Sequence, residues 1–188
     1  MFYNQDGTND LISHNIEKSD TRRVSSPTDA QSSDTNKGLY NIKHSGYFDF
    51  EIDENGLWMI YKQKQIVKNQ SIDSETYVIA KIDDDKFKDL KIQNKWYIHV
   101  NKKENNLANM FITCGQLYGL KLINNQANIY KLCDLYNDFE CKNSSSAESL
   151  FNLPVSSRQL TSLSYNTDKK LLYMVDGGVI QYSKLTLS

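Results

Sequence analysis

From Tyr40 onward the chain is written in short runs of aromatic and β-branched residues separated by turn residues, a texture that calls for many short strands. Phe48, Phe50 and Ile52 alternate with Tyr47, Asp49 and Glu51 at period two, and Glu54-Asn55-Gly56 then turns the chain into Leu57-Trp58-Met59-Ile60-Tyr61. That second run is apolar on both faces, which predicts a strand sandwiched between neighbours. Thr76 to Ile82 and Lys95 to Val100 alternate, whereas Met110-Phe111-Ile112-Thr113-Cys114 and Leu171-Leu172-Tyr173-Met174-Val175 are again continuous. Asp176-Gly177-Gly178, whose glycines accept positive φ, turns a last hairpin into Val179-Ile180-Gln181-Tyr182. No amphipathic helical stretch of useful length interrupts the series, so the chain reads as all-β. The polar residues 1–38 are expected to be a weakly structured amino-terminal part, in which only Leu11 to Val24 could hold a short strand pair. Residues 39–188 carry the strand-rich part.

A faint internal echo bears on how the strands assemble. Gly56-Leu57-Trp58-Met59-Ile60-Tyr61, Gly115-Gln116-Leu117-Tyr118-Gly119-Leu120 and Lys170-Leu171-Leu172-Tyr173-Met174-Val175 each place an aromatic after a leucine, at a period of about 55 to 60 residues, somewhat longer than the blades of common propellers. Radial repetition of four-stranded sheets fits this echo, and an ordinary β-sandwich shares the short strands and tight turns. The 188 residues suffice for one substantial core. A net charge of −1 and a 39% apolar content give no footprint for nucleic acid or a membrane surface. No run of eighteen apolar residues exists, which excludes a spanning helix, and the opening Met1-Phe2-Tyr3-Asn4-Gln5-Asp6 lacks signal-peptide organisation. The protein is therefore cytosolic, or its targeting segment lies elsewhere.

Four local strings carry a resemblance. Ile52-Asp53-Glu54-Asn55-Gly56-Leu57-Trp58-Met59-Ile60-Tyr61 resembles the "VDENGLWVIY" segment of olfactomedin domains. In family order, Leu107-Ala108-Asn109-Met110-Phe111-Ile112-Thr113-Cys114-Gly115-Gln116-Leu117-Tyr118 is similar to "ANAFMVCGVLY", and Ser164-Tyr165-Asn166-Thr167-Asp168-Lys169-Lys170-Leu171-Leu172-Tyr173 to "DYNPRDRLLY". Val179-Ile180-Gln181-Tyr182-Ser183-Lys184-Leu185 resembles the closing strand, and Phe2-Tyr3-Asn4, Asn15-Ile16-Glu17-Lys18 and Thr21-Arg22-Arg23 match the family's start more faintly. The resemblance implies a five-bladed β-propeller, of which this length represents about four blades with the amino-terminal one missing. It further implies a secreted or cell-surface interaction module that engages other extracellular proteins in adhesion, matrix organisation or receptor-linked signalling, oligomerising only through regions outside this chain. A sugar-binding or glycosidase-like propeller is the alternative, as is a truncated fragment without independent function.

The same resemblance implies a calcium ion near the propeller axis. Its donors would be Asp49, Asn109 with the Met110 carbonyl, and Ser164 with the Leu163 carbonyl, a mixture of oxygens that suits a hard cation. Ser164 stands where the family has an aspartate, so one negative charge is lost and affinity should weaken. The family also pairs the cysteine equivalent to Cys114 with an earlier one, and none precedes Cys114 here. Cys133 and Cys141 enclose seven residues, enough to turn a hairpin and bring their β-carbons within bridging distance; two buried thiols on separate strands are the alternative. Asn69-Gln70-Ser71 and Asn143-Ser144-Ser145 are glycosylation sequons. His14, His44 and His99 are dispersed without metal or acid–base spacing, and Asp83-Asp84-Asp85 lacks the rest of a calcium loop, so no catalytic residue is assigned. Trp58 and Trp96 read as core anchors.

Overall fold

The turns form where the sequence places them, and each closes an antiparallel pair. The computed structural model describes residues 2–4, 11–31, 38–40, 45–64, 74–83, 90–102, 106–137, 141, 149–155 and 160–184. Among them fourteen strands form four up-and-down antiparallel sheets. The first sheet holds β1 (Phe2–Asn4), β2 (Leu11–Asn15) and β3 (Asp20–Val24); β2 and β3 are the strand pair expected between Leu11 and Val24. The second sheet runs β4 (Phe48–Asp53), β5 (Gly56–Lys62), β6 (Ser74–Asp83) and β7 (Lys91–Asn101). The third runs β8 (Leu107–Thr113), β9 (Gln116–Ile123), β10 (Gln126–Asp134) and β11 (Ser149–Pro154), and the fourth β12 (Leu160–Asn166), β13 (Leu171–Asp176) and β14 (Val179–Lys184). The three echoed strings fall on β5, β9 and β13, the second strand of each of the last three sheets.

The sheets stack side by side around a common axis. Their first strands are neighbours in sequence order, β1 against β4, β4 against β8 and β8 against β12. Three separate cores fill the gaps. Leu11 and Val24 of the first sheet pack with Phe48, Met59, Tyr61 and Val78 of the second. Trp58, Ile60, Ile79 and Trp96 then pack with Met110, Ile112, Leu117 and Leu132 of the third, and Phe111, Leu120 and Ile129 with Leu163, Leu172 and Met174 of the fourth. A face-to-face sandwich would have one such core, so this arrangement is the propeller type, with an arc of four sheets that is not closed into a ring.

This stacking explains which strands are apolar on both faces. In β5, Trp58 and Ile60 enter one core while Met59 and Tyr61 enter the next, so every residue from Trp58 to Lys62 is buried. Burying each large apolar side chain in this way contributes about 1.5 to 3 kcal/mol. Thr76 to Ile82 read as an alternating strand, yet Thr76 to Ala80 are buried throughout because β6 lies between two cores as well. The outer strand β7 does alternate, with Trp96, Ile98 and Val100 inward. β13 departs from its continuous pattern: Leu172, Met174 and Asp176 are buried, whereas Leu171, Tyr173 and Val175 are only partly covered. Beside it, Ile180 and Tyr182 of β14 are exposed. Gly177 and Gly178 take φ of 56° and 84° in the preceding turn, as their lack of a Cβ permits.

Candidate functional site

Period-two alternation puts Asp49, Glu51 and Asp53 on one face of β4, the face turned toward the third sheet. Each carboxylate meets that sheet or its surroundings differently. At the turn end, Asp53 accepts from the Gly115 N–H (2.9 Å), the Trp58 indole N–H (2.8 Å) and the Asn55 N–H (2.8 Å). Glu54, just beyond, accepts from the Cys114 N–H at 2.9 Å. Further down the strand, the Ile112 N–H donates to Glu51. These contacts set a parallel register between β4 and β8, with partners 60 to 62 residues apart at the turn end. Continued toward the start of both strands, that register brings Asp49 level with Asn109 and Met110.

The lower half of this face is short of donors. Asp49 accepts from the Tyr40 hydroxyl at 2.7 Å, and Glu51 is 5% exposed. Burial raises the Asp49 carboxyl above its ordinary range. Burial, and then the neighbouring Asp49 charge, pushes Glu51 well above it despite the Ile112 N–H. Burial and the Asp49 charge likewise raise the Tyr40 phenol. Across the gap, Asn109 is 7% exposed and its Oδ1 has no hydrogen-bond partner. A buried amide oxygen without a donor costs about 1 to 3 kcal/mol, and such an oxygen is what a hard cation takes as a ligand.

Of the expected calcium donors, Asp49 and Asn109–Met110 therefore lie on adjacent inner strands, with a second carboxylate, Glu51, on the same face as Asp49. Leu163 is on β12, the inner strand on the other side of β8, and its side chain is buried among Phe111 and Leu172. Ser164 is exposed, on the face of β12 opposite Leu163. Among the described residues no group of three or more His, Cys, Asp or Glu side chains is placed to hold a metal. The side-chain oxygens on these two strands, the Asp49 and Glu51 carboxylates and the Asn109 amide, are of the hard type.

Cys133, on β10, is bonded to Cys141 in a disulfide, with the two Cα atoms 4.6 Å apart. Asp134 shapes the loop between them by accepting from the Tyr136 and Asn137 N–H groups, both at 3.0 Å. Donation first from the Gln116 side chain, then from Asn137, holds the Asp134 carboxyl far below its ordinary range. Cys114 is an exposed free thiol in the β8–β9 turn. There Gly115 has φ 69°, and its Cα faces the Tyr136 ring so closely that a Cβ would collide with it. Trp58 and Trp96 pack against each other in the core, centroids 5.5 Å apart. His14 Nδ1 bonds to Thr21 (2.7 Å) and His99 Nδ1 to Thr76 (3.0 Å) on different sheets. Asn69, Asn143, His44, Asp84 and Asp85 lie outside the described residues.

Sequence reasoning singled out neither Glu51 nor Tyr40. For Glu51 a signal existed: Asp49, Glu51 and Asp53 share one face of a strand whose other face carries Phe48, Phe50 and Ile52, and the charged face is the one turned toward the third sheet. Tyr40 sits in the loop before β4 and offers no pattern.

Comparison with known proteins agrees with this architecture. The olfactomedin-like domain family matches residues 1–188. Olfactomedin-4 of Homo sapiens is 27% identical over 135 residues, which cover 71% of this chain and 23% of that protein. The chain thus spans about a quarter of the length of that curated relative.

Proposed function

The chain belongs to the olfactomedin-like domain family, and from that membership we propose that it is a non-enzymatic extracellular module that binds other proteins in adhesion, matrix organisation or receptor-linked signalling. The family match over residues 1–188 carries the proposal. The fold supports it: three inter-sheet cores hold rigid blades, and the loops and edges between them are free to present side chains to a partner. Exposed aromatic and aliphatic groups such as Tyr136, Ile180 and Tyr182 are of the type that anchors protein contacts. The disulfide suits an oxidising compartment.

Calcium, bound through Asp49, Asn109, the Met110 and Leu163 carbonyls and the Ser164 position, is the proposed cofactor. It would supply charge neutralisation and rigidity between the inner strands, not chemistry on a substrate. Secretion, glycans on Asn69 and Asn143, and pairing of Cys114 with a cysteine outside this chain belong to the same proposal.

The chain, secreted from eukaryotic cells, should bind a panel of cell-surface and matrix proteins saturably, with binding lost on heat unfolding. Binding confined to glycans, or hydrolysis of them, would instead establish the lectin or glycosidase alternative. Isothermal calorimetry with calcium tests the cofactor separately.

A further inference from the structure

We propose that Glu51 is a ligand of the cation site, supplying the negative charge that Ser164 does not; the inference rests on the calcium assignment above. Glu51 and Asp49 are two residues apart on the same face of β4, so their carboxyl groups share one side of the strand. Glu51 is almost fully buried, and among the described residues neither it nor Asp49 forms an ion pair. A buried carboxylate is costly unless a cation or several donors compensate it. The partners shown here are few: one backbone N–H for Glu51, one backbone N–H and the Tyr40 hydroxyl for Asp49.

Independent of the carboxylates, the adjacent inner strand buries the unpartnered Asn109 Oδ1 at the level that the β4–β8 register assigns to Asp49. Two carboxylates facing a neutral amide oxygen and backbone carbonyls make a set that a single divalent cation neutralises. With Ser164 in the expected place alone, the set would carry one negative charge, and Ser164 is exposed on the far face of its strand from Leu163. The charge has therefore moved from β12 to β4, from the strand on one side of β8 to the strand on the other.

Calcium titration by calorimetry, together with thermal melts in EDTA and in calcium, tests this on the 188-residue chain and its E51Q and D49N variants. Wild type should bind one calcium and melt at higher temperature with it. E51Q should weaken binding at least tenfold and lose most of the calcium-dependent rise, while its melting temperature in EDTA stays at or above that of wild type. Wild-type affinity in E51Q, with binding lost in D49N, would overturn the role of Glu51 and leave calcium in place. No binding by wild type would overturn the calcium assignment itself. Carbon-13 labelling of glutamate side-chain carboxyls in wild type gives a readout that needs no variant to fold: one carboxyl resonance should move on calcium saturation, and an unmoved set would overturn the proposal.

Discussion

The two ends of the acidic face of β4 make opposite use of the same residue type. At the turn end, Asp53 collects four N–H donors, two from Asn55 in the turn, one from the indole and one from the next sheet, and Glu54 adds a contact to Cys114. These carboxylates are rivets between blades. At the other end, Glu51 is buried and Asp49 partly covered, both with few donors, and the loss of surrounding water raises both carboxyl groups. A carboxylate that has used its lone pairs on fixed N–H groups has little left for a ligand, whereas one held dry and under-supplied favours whatever brings positive charge. The face thus divides into a half that fixes sheet against sheet and a half whose carboxylates are short of donors.

Removing the rivet should have the largest effect. Asp53→Ala strands the Trp58 and Gly115 N–H groups inside the seam and is expected to cost about 3 to 5 kcal/mol in urea denaturation, with Asp53→Asn costing less because one acceptor oxygen remains. Next comes the loop that backs the turn: replacing Cys133 and Cys141 with serine should cost about 2 to 3 kcal/mol in the chain-entropy model for so short a loop. Gly115→Ala places a Cβ at positive φ against the Tyr136 ring and should cost about 1 to 2 kcal/mol. All three should lower the melting temperature equally with and without calcium, because they act on the riveted half.

How much of this was legible in the sequence depends on whether a residue's fate is settled within its own strand. Trp58-Met59-Ile60-Tyr61 is apolar at consecutive positions, so burial on both sides could be read directly, and the Asn55-Gly56 and Gly177-Gly178 turns announced their hairpins. The β9–β10 hairpin went unnoticed because its turn is Asn124-Asn125, whose side chains tolerate φ of 51° and 59° without a glycine to mark them. β6 was misread for another reason: its polar Thr76 is buried too, bonded to His99 on the neighbouring strand, and only the stacking of sheets reveals that. The site divides similarly. Asp49 and Asn109 were singled out through family strings, whereas Glu51 stood only as one member of an alternating strand. In a radial stack both faces of an inner strand can be covered, and alternation no longer says which side is wet.

One smaller change probes the half that is short of donors. Tyr40→Phe removes a side-chain donor to Asp49 and should cost about 1 kcal/mol in EDTA. If Asp49 is a cation ligand, calcium should recover part of that loss, which none of the riveted-half variants would show.

Another carboxylate, Asp29, supplies the control, because here the cation is part of the protein. Asp29 accepts from Lys95 Nζ at 2.8 and 2.9 Å and from the Tyr61 hydroxyl at 2.9 Å, tying the segment after the first sheet to the second. Burial alone would raise its carboxyl, but Lys95 and Tyr61 outweigh that and lower it, the reverse of Asp49 and Glu51. Its folded value lies below its unfolded one, so its contribution is fully present above the unfolded carboxylate range. It is lost as pH falls from about 4 through the folded value. Lys95 and Asp29 are each about a quarter exposed, which with solvent screening limits the effect to under about 1 kcal/mol. Asp29→Asn should therefore lower stability slightly at pH 7, with the gap to wild type closing below pH 4 in acid titrations followed by circular dichroism. A gap that stayed constant down to pH 2 would mean that Asp29 stabilises by packing and neutral hydrogen bonds, and that a resident lysine does not do for it what a bound cation is proposed to do for Asp49 and Glu51.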